Sequence, residues 1–317
     1  MLWDAAAVGL GLAILLLAGD ALVKGAVNLS LRLGVPAMIV GLTVVAFGTS
    51  APELLVAVQA VLAGVPALAL GNVVGSNTAN ILLVLGVPAL IAAVPVARGT
   101  VTRDYLGMMA ATVFFLGLAA LGPLRWPHAL ALLAGLALML GDAFLRARAH
   151  RNGPADDEVE GAEPGMSWLR IGLYTGLGVV GLPLGAELLV DGSVNIATAL
   201  GVSEAVIGLT LVAIGTSLPE LATTVMAAIR REVGVALGNV IGSNMFNLLG
   251  ILGVAGLFGA IPVPAEMWTR DLWVMLAASA LLAWFVFTGR SIGRIWGVAL
   301  LVLYGGYLGV LAMGVGA

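Results

Sequence analysis

No cysteine occurs in the 317 residues, which excludes disulfides, thiolate metal sites and cysteine nucleophiles. Charge is scarce as well: Asp, Glu, Lys and Arg make up 10% of the chain, where a soluble domain carries about 25%. Lysine is reduced to Lys24, and a net charge of −3 spread thinly suggests neither a nucleic-acid partner nor an acidic docking surface. The two histidines, His128 and His150, sit beside arginines near expected helix ends, a poor setting for a buried imidazole metal site. Hydrophobic residues take up 61% of the chain, and the mean hydropathy is +1.11. This composition predicts an all-α polytopic membrane protein, because lipid forces each segment to satisfy its own backbone hydrogen bonds.

A spanning helix needs about 20 apolar residues. On that ruler ten transmembrane helices are expected, at about 4–29, 36–62, 67–94, 104–122, 126–147, 168–199, 203–230, 235–261, 270–288 and 292–314. The first lacks a basic n-region and a small-residue cleavage site, so it reads as a retained span. The one strongly polar stretch, Arg146 to Gly165, is rich in charge, Gly and Pro and reads as a flexible loop. Nearly all arginines fall in or beside the loops that are cytoplasmic if both termini lie outside, with Arg125 and Arg270 the exceptions.

Inside the oily sequence stand two polar sentences, each written twice. GLTVVAFGTSAPEL (Gly41 to Leu54) returns as GLTLVAIGTSLPEL (Gly208 to Leu221), and GNVVGSNTAN (Gly71 to Asn80) returns as GNVIGSNMFN (Gly238 to Asn247). The offset is 167 residues throughout, and it also pairs Asp20 with Glu187, Asn28 with Asn195 and Gly34 with Gly201. Residues 1–147 and 168–317 are therefore expected to be two five-helix repeats joined by a cytoplasmic loop at 148–167. An odd number of spans per repeat makes the second copy enter the membrane from the opposite side, which relates the two by an axis in the membrane plane.

Glu53 and Glu220 are expected near the middle of their helices, with no lysine or arginine at that depth. An unpaired carboxylate there costs several kcal/mol unless a proton or a metal ion compensates it. Thr49 and Thr216 lie four residues before their glutamates, on the same helix face, and Ser50 and Ser217 add hydroxyls. Pro52 and Pro219 should break the helices and free carbonyls such as those of Ala46, Thr49, Ala213 and Thr216. In the second motif Asn72, Ser76 and Asn80, and likewise Asn239, Ser243 and Asn247, recur at intervals of four along one stripe. Two carboxylates among neutral oxygens, without nitrogen or sulfur donors, suit hard cations such as Ca²⁺ and Na⁺, and balance one Ca²⁺ or two Na⁺.

GTSAPE with GSNTAN and GTSLPE with GSNMFN resemble the paired alpha-repeat motifs of the cation/calcium exchangers, and the resemblance covers nearly the whole chain. It implies a prokaryotic sodium/calcium exchanger in the cytoplasmic membrane, an antiporter working by alternating access, with helices one and six sliding over the rest. It implies Glu53 and Glu220 as the main Ca²⁺ ligands and Asn80 and Asn247 as completing the centre. The carbonyls of Ala46, Thr49, Ala213 and Thr216 and the hydroxyls of Ser50, Ser76, Ser217 and Ser243 would serve Ca²⁺ and flanking Na⁺. Several members carry aspartate where this chain has Asn247, so the cage here has one formal charge fewer. The proton-coupled branch has a GNxxE pattern where this chain reads GNVVGS and GNVIGS, which favours sodium as counter-ion.

The rival functions are a proton/calcium or other divalent-cation antiporter and a passive cation channel. Inverted repeats with broken helices suit a carrier better than a channel. The four segments hold no histidine, cysteine or lysine, so an enzyme is not expected. No cofactor is expected beyond the transported ions, and no partner beyond the lipid bilayer. Asn72, Asn77, Asn239 and Asn244 read equally as helix packing or ion contact and are left outside the site. Asp20 and Lys24 have the spacing of an intrahelical ion pair, whereas Glu187 and Asp191 at the matching positions cannot pair in that way. Asp104 and Asp271, each beside an arginine at a helix entrance, read as interfacial anchors.

Overall fold

The computed structural model describes residues 2–96, 101–150, 163, 165–201 and 213–314, and these are helical throughout apart from connections and two isolated β-bridges. The helices are α1 Leu2–Leu33, α2 Ala37–Thr49, α3 Ala51–Leu62, α4 Pro66–Ile91, α5 Thr102–Ala120 and α6 Trp126–His150. They continue with α7 Trp168–Ala199, α8 Ala213–Gly215, α9 Leu218–Ile229, α10 Val233–Phe258, α11 Met267–Thr288 and α12 Arg294–Gly314. Seven are long and apolar enough to cross a membrane, or eight if the bent pair α2 and α3 is one span. The expected spans over 104–122 and 203–230 are not among them. The helix at the first place opens with Arg103 and Asp104, and at the second residues 202–212 lie outside the described set.

Burial sorts the helices. α4 and α10, which carry the GSN motifs, are the most enclosed spans, at 78% and 89% buried. α1 and α7 lie at the periphery, with much of their surface apolar and outward, as lipid contact requires. Each has 32 residues, about 48 Å of helix, and so exceeds a hydrocarbon layer of about 30 Å. Gly34 and Gly201 terminate them in the left-handed conformation (φ 66° and 80°) that glycine adopts without strain.

α1 and α7 pack together closely through glycine. A Cβ on Gly11 would lie 2.6 Å from the Leu189 nitrogen, and one on Gly178 would lie 2.9 Å from the Leu22 nitrogen. Adding 167 to Gly11 gives Gly178 and subtracting it from Leu189 gives Leu22, so the crossing looks the same from both helices. The bridges Val94 to Ile292 and Leu124 to Ile261 exchange under the same shift to within one residue.

The ion pairs depart from the sequence reading. Asp20 accepts from Arg230 Nε at 2.6 Å, and Lys24 Nζ reaches Glu163 at 2.8 Å. The two are not each other's partner, because long-range neighbours of opposite charge lie closer. Asp104 is buried and pairs with Arg146 at 2.6 Å, tying α5 to α6, while Arg103 bonds Asp142. Asp271 pairs with its neighbour Arg270 at 2.8 Å and accepts from Tyr307 at 3.2 Å.

Candidate functional site

Both GTS-x-PE segments break their helix at the serine. Ser50 has φ −88° and ψ 5°, and Ser217 has φ −90° and ψ 3°, so the two copies re-enter helix through one geometry. α2 meets α3 at 45°. The sequence places the break at Pro52 and Pro219, but each proline is the second residue of the new helix. There its missing N–H is one that no helical carbonyl would have accepted. Glu53 and Glu220 follow in the first turn, each 1% exposed, where the helix N-terminus favours negative charge.

The break does not free the Ala46 carbonyl, contrary to the sequence reading. It accepts the Ser50 N–H at 3.0 Å and the Thr49 hydroxyl at 3.3 Å, because the α2 ladder stays intact through the amide of Ser50. In the second copy the Ser217 N–H donates to Ile214 at 3.0 Å, so the matching bond to Ala213 is not made.

Side chains from distant segments converge on the break. Ser50 Oγ donates to Glu220 Oε1 at 3.0 Å. Thr49 Oγ1 lies 3.2 Å from Asn239 Oδ1 and 3.5 Å from Ser243 Oγ. Asn239 in turn donates to Thr224 Oγ1 at 3.1 Å and to the Glu220 carbonyl at 3.4 Å. Asn80 and Asn247 are joined through Asn77 and Asn244, and Ser76 and Thr216 line one cavity of about 400 Å³ that also takes in Asn72 and Asp271.

The two halves of this region are not in the same condition. Thr49 is fully buried and hydrogen-bonded, while its counterpart Thr216 is half-buried at the cavity wall. Glu220 has the Ser50 hydroxyl, whereas both oxygens of Glu53 and the Ser217 hydroxyl are buried without a partner. Ser76 Oγ, Asn80 Oδ1, Glu220 Oε2 and Asn247 Oδ1 are buried and unpartnered too. Burying a polar oxygen without a partner costs about 1–3 kcal/mol, more when it is charged. No ion pair among the described residues reaches Glu53 or Glu220. These are carboxylate, amide and hydroxyl oxygens without a partner, the Asn72 Nδ2 beside Ser76 is an unpartnered donor, and no cationic side chain among the described residues neutralises the carboxylates.

Asn77, Asn239 and Asn244 belong to this network, although the sequence reading left them out. Their signal was the offset of 167, which pairs Asn77 with Asn244 just as it pairs the glutamates.

The sodium/calcium exchanger protein family matches residues 3–141 and 171–313. A putative antiporter, CaxA of Alkalimonas amylolytica, is 39% identical over 94% of this chain and 95% of its own. The sodium/calcium exchanger MaX1 of Methanosarcina acetivorans is 34% identical over 95% and 96%. Among solved structures, the sodium-calcium exchanger NCX_Mj soaked with Na⁺ and Sr²⁺ superposes with a TM-score of 0.82 at 32% identity, covering 99% of this chain and 98% of that one. On these matches, which run through both copies of the motif pair, the chain belongs to the sodium/calcium exchanger family.

Proposed function

We propose that this protein is a secondary-active antiporter that exchanges Ca²⁺ for Na⁺ across a membrane by alternating access. The observation that carries the reading is the cluster of buried, unpartnered oxygens around two carboxylates that no described cationic side chain reaches. A bound cation satisfies those acceptors at one stroke. Glu53 and Glu220 are the charged ligands, with Ser50, Ser76, Ser217, Ser243, Asn80, Asn247 and the Thr49, Ala213 and Thr216 carbonyls around them, while the doubly hydrogen-bonded Ala46 carbonyl is left out. Two carboxylates balance one Ca²⁺ or two Na⁺, so the cage is near neutral with either load and costly to move empty. That difference couples the two ions by competition.

The fold that supports this reading has ten spans, with both termini outside, as the arginine distribution argues. It consists of two inverted repeats, residues 1–147 and 168–317, joined by the loop at 148–167. The contacts that exchange under a shift of 167 favour that division. α1 and α7 are the moving pair, since they lie outside the buried α4 and α10 and touch each other through closely approaching glycines. The near-full-length relatives named above are prokaryotic, and we place this chain in a prokaryotic cytoplasmic membrane. The chemistry is transport, with no bond made or broken.

Radioactive Ca²⁺ uptake into proteoliposomes preloaded with Na⁺ tests the proposal. Uptake on dilution into Na⁺-free buffer, absent at equal Na⁺, is expected. Uptake driven only by a pH gradient would move the protein to proton coupling. Ca²⁺ flux unaccelerated by cation on the far side would make it a channel.

A further inference from the structure

Four asparagines meet where the two copies of GSNxxN face each other, all of them about 1% exposed. Asn77 Nδ2 donates to the Asn244 backbone carbonyl at 3.2 Å, and Asn244 Nδ2 donates to the Asn77 backbone carbonyl at 3.5 Å. Asn80 Nδ2 donates to Asn244 Oδ1 at 3.0 Å, and Asn247 Nδ2 donates to Asn77 Oδ1 at 3.0 Å. Each bond becomes its partner when 167 is added to or subtracted from its residue numbers. The array therefore sits on the axis that relates the halves.

The direction of every amide follows from the two backbone carbonyls. A carbonyl only accepts, so Asn77 and Asn244 must turn their NH₂ groups toward the facing backbone. That leaves their Oδ1 atoms pointing at Asn80 and Asn247. These oxygens also only accept, so Asn80 and Asn247 must present Nδ2 to them. Their own Oδ1 atoms are then turned away from the array, and both are buried without a partner. Asn80 lies four residues after Ser76 and Asn247 four after Ser243, on the helix faces that carry the other free or site-directed oxygens.

We propose that Asn77 and Asn244 are positioning residues that lock the amides of Asn80 and Asn247 with their carbonyl oxygens toward the transported ion. This rests on the cation-exchange reading above and adds a residue role to it. In this chain the lock also disfavours an ionised carboxylate at positions 80 and 247, since the group there has to donate. An ionised carboxylate there would set oxygen against the Oδ1 of Asn244 or Asn77, with no proton between them.

The test is a pair of substitutions in the full chain, Asn77→Leu and Asn247→Ser, made singly and together. The readouts are KM for Ca²⁺ and kcat of Na⁺-driven uptake, with melting temperature as the check on folding. Ca²⁺-dependent thermal stabilisation of the solubilised protein is measured on the same variants, so the lock is judged by binding even if the wild type fails to exchange.

Asn77→Leu releases the Asn247 amide and should raise KM for Ca²⁺ about tenfold, in line with the loss of a group that orients a metal ligand. Asn247→Ser keeps an oxygen but has no amide to reverse. In that background Asn77→Leu should add less than twofold. Full multiplication of the two effects, or a folded Asn77→Leu protein with unchanged KM and unchanged Ca²⁺ stabilisation, overturns the proposal. If Asn77→Leu does not fold, Asn244→Leu with Asn80→Ser poses the same question through the other half of the array.

Discussion

Alanine at position 178 should damage this protein more than its size suggests. Gly178 faces α1, and a methyl group built on it would lie 2.4 Å from Leu22 Cβ, 2.8 Å from Leu22 Cα and 2.9 Å from Leu22 nitrogen. Carbon atoms rest about 3.5–4.0 Å apart, so the overlap is about 1 Å or more. Leu22 is fully buried, and its backbone and Cβ cannot escape by a change of rotamer, so the helices themselves must separate. Overpacking of this kind costs about 1–3 kcal/mol, and the gain in helix propensity on leaving glycine returns up to about 1 kcal/mol. With backbone atoms in the clash the cost lies at the upper end, which leaves a net loss of about 2 kcal/mol. Gly176 lies on the same helix, is exposed, and would meet no described atom within 4 Å, so Gly176→Ala receives only the propensity gain. Thermal melting of the two detergent-solubilised variants should therefore diverge, Gly178→Ala falling below the wild type and Gly176→Ala staying level or rising. Na⁺-driven Ca²⁺ uptake should fall in Gly178→Ala alone. Equal melting and equal flux in the two variants would refute the claim that α1 and α7 touch at Gly178.

Three further outcomes are expected. Glu53→Gln and Glu220→Gln each remove half the charge of the cage and should abolish Ca²⁺ uptake while the protein still elutes as a folded species; normal flux in either would displace the site. Asn247→Asp sets a carboxylate oxygen against Asn77 Oδ1 in place of a 3.0 Å hydrogen bond, so melting should show a loss of about 1–3 kcal/mol, and an unchanged melting curve would remove Asn247 from the array. In the loop after the first repeat, the hydrogen bond from Lys24 and then its charge hold the Glu163 carboxyl below its usual value of 4.5. A depressed carboxyl stabilises the fold above its unfolded value and loses that contribution as pH falls through the lowered one. Glu163→Gln should therefore flatten the acid side of a melting-against-pH profile, and two superimposable profiles would show that the pair is not kept in solution.

Much of this was legible because the chain states it twice. The offset of 167 picks out the glutamates, the serines and the helix breaks, and the periodic apolar runs locate α6, α7, α11 and α12 to within a few residues. The break itself was read two residues late, at Pro52 in place of Ser50, because proline is as acceptable in the first turn of a new helix as it is disruptive inside an old one. The partners of Asp20 and Lys24 were misread for another reason. Spacing along a helix shows which side chains share a face, but Arg230 and Glu163 arrive from segments far along the chain. Sequence alone does not separate Asn77 and Asn244 from ordinary packing, because buried asparagine commonly ties helices together. What distinguishes these two is the direction of their amides, a property that appears only when both copies face each other.

The length of α1 and α7 has a mechanical consequence. A helix cut to the thickness of the hydrocarbon layer has one resting depth, and displacing it along its own axis drags polar ends into oil. These two carry 32 residues each, about 48 Å against about 30 Å, a surplus of roughly three helical turns. That margin is not uniformly apolar, since Asp20 and Lys24 lie within α1 and Glu187 and Asp191 within α7, so a change of depth moves charge relative to the layer. The length leaves room for such a change, and in α1 the charges that set its cost are held by Arg230 and Glu163, so those two ion pairs act as the latch on its depth.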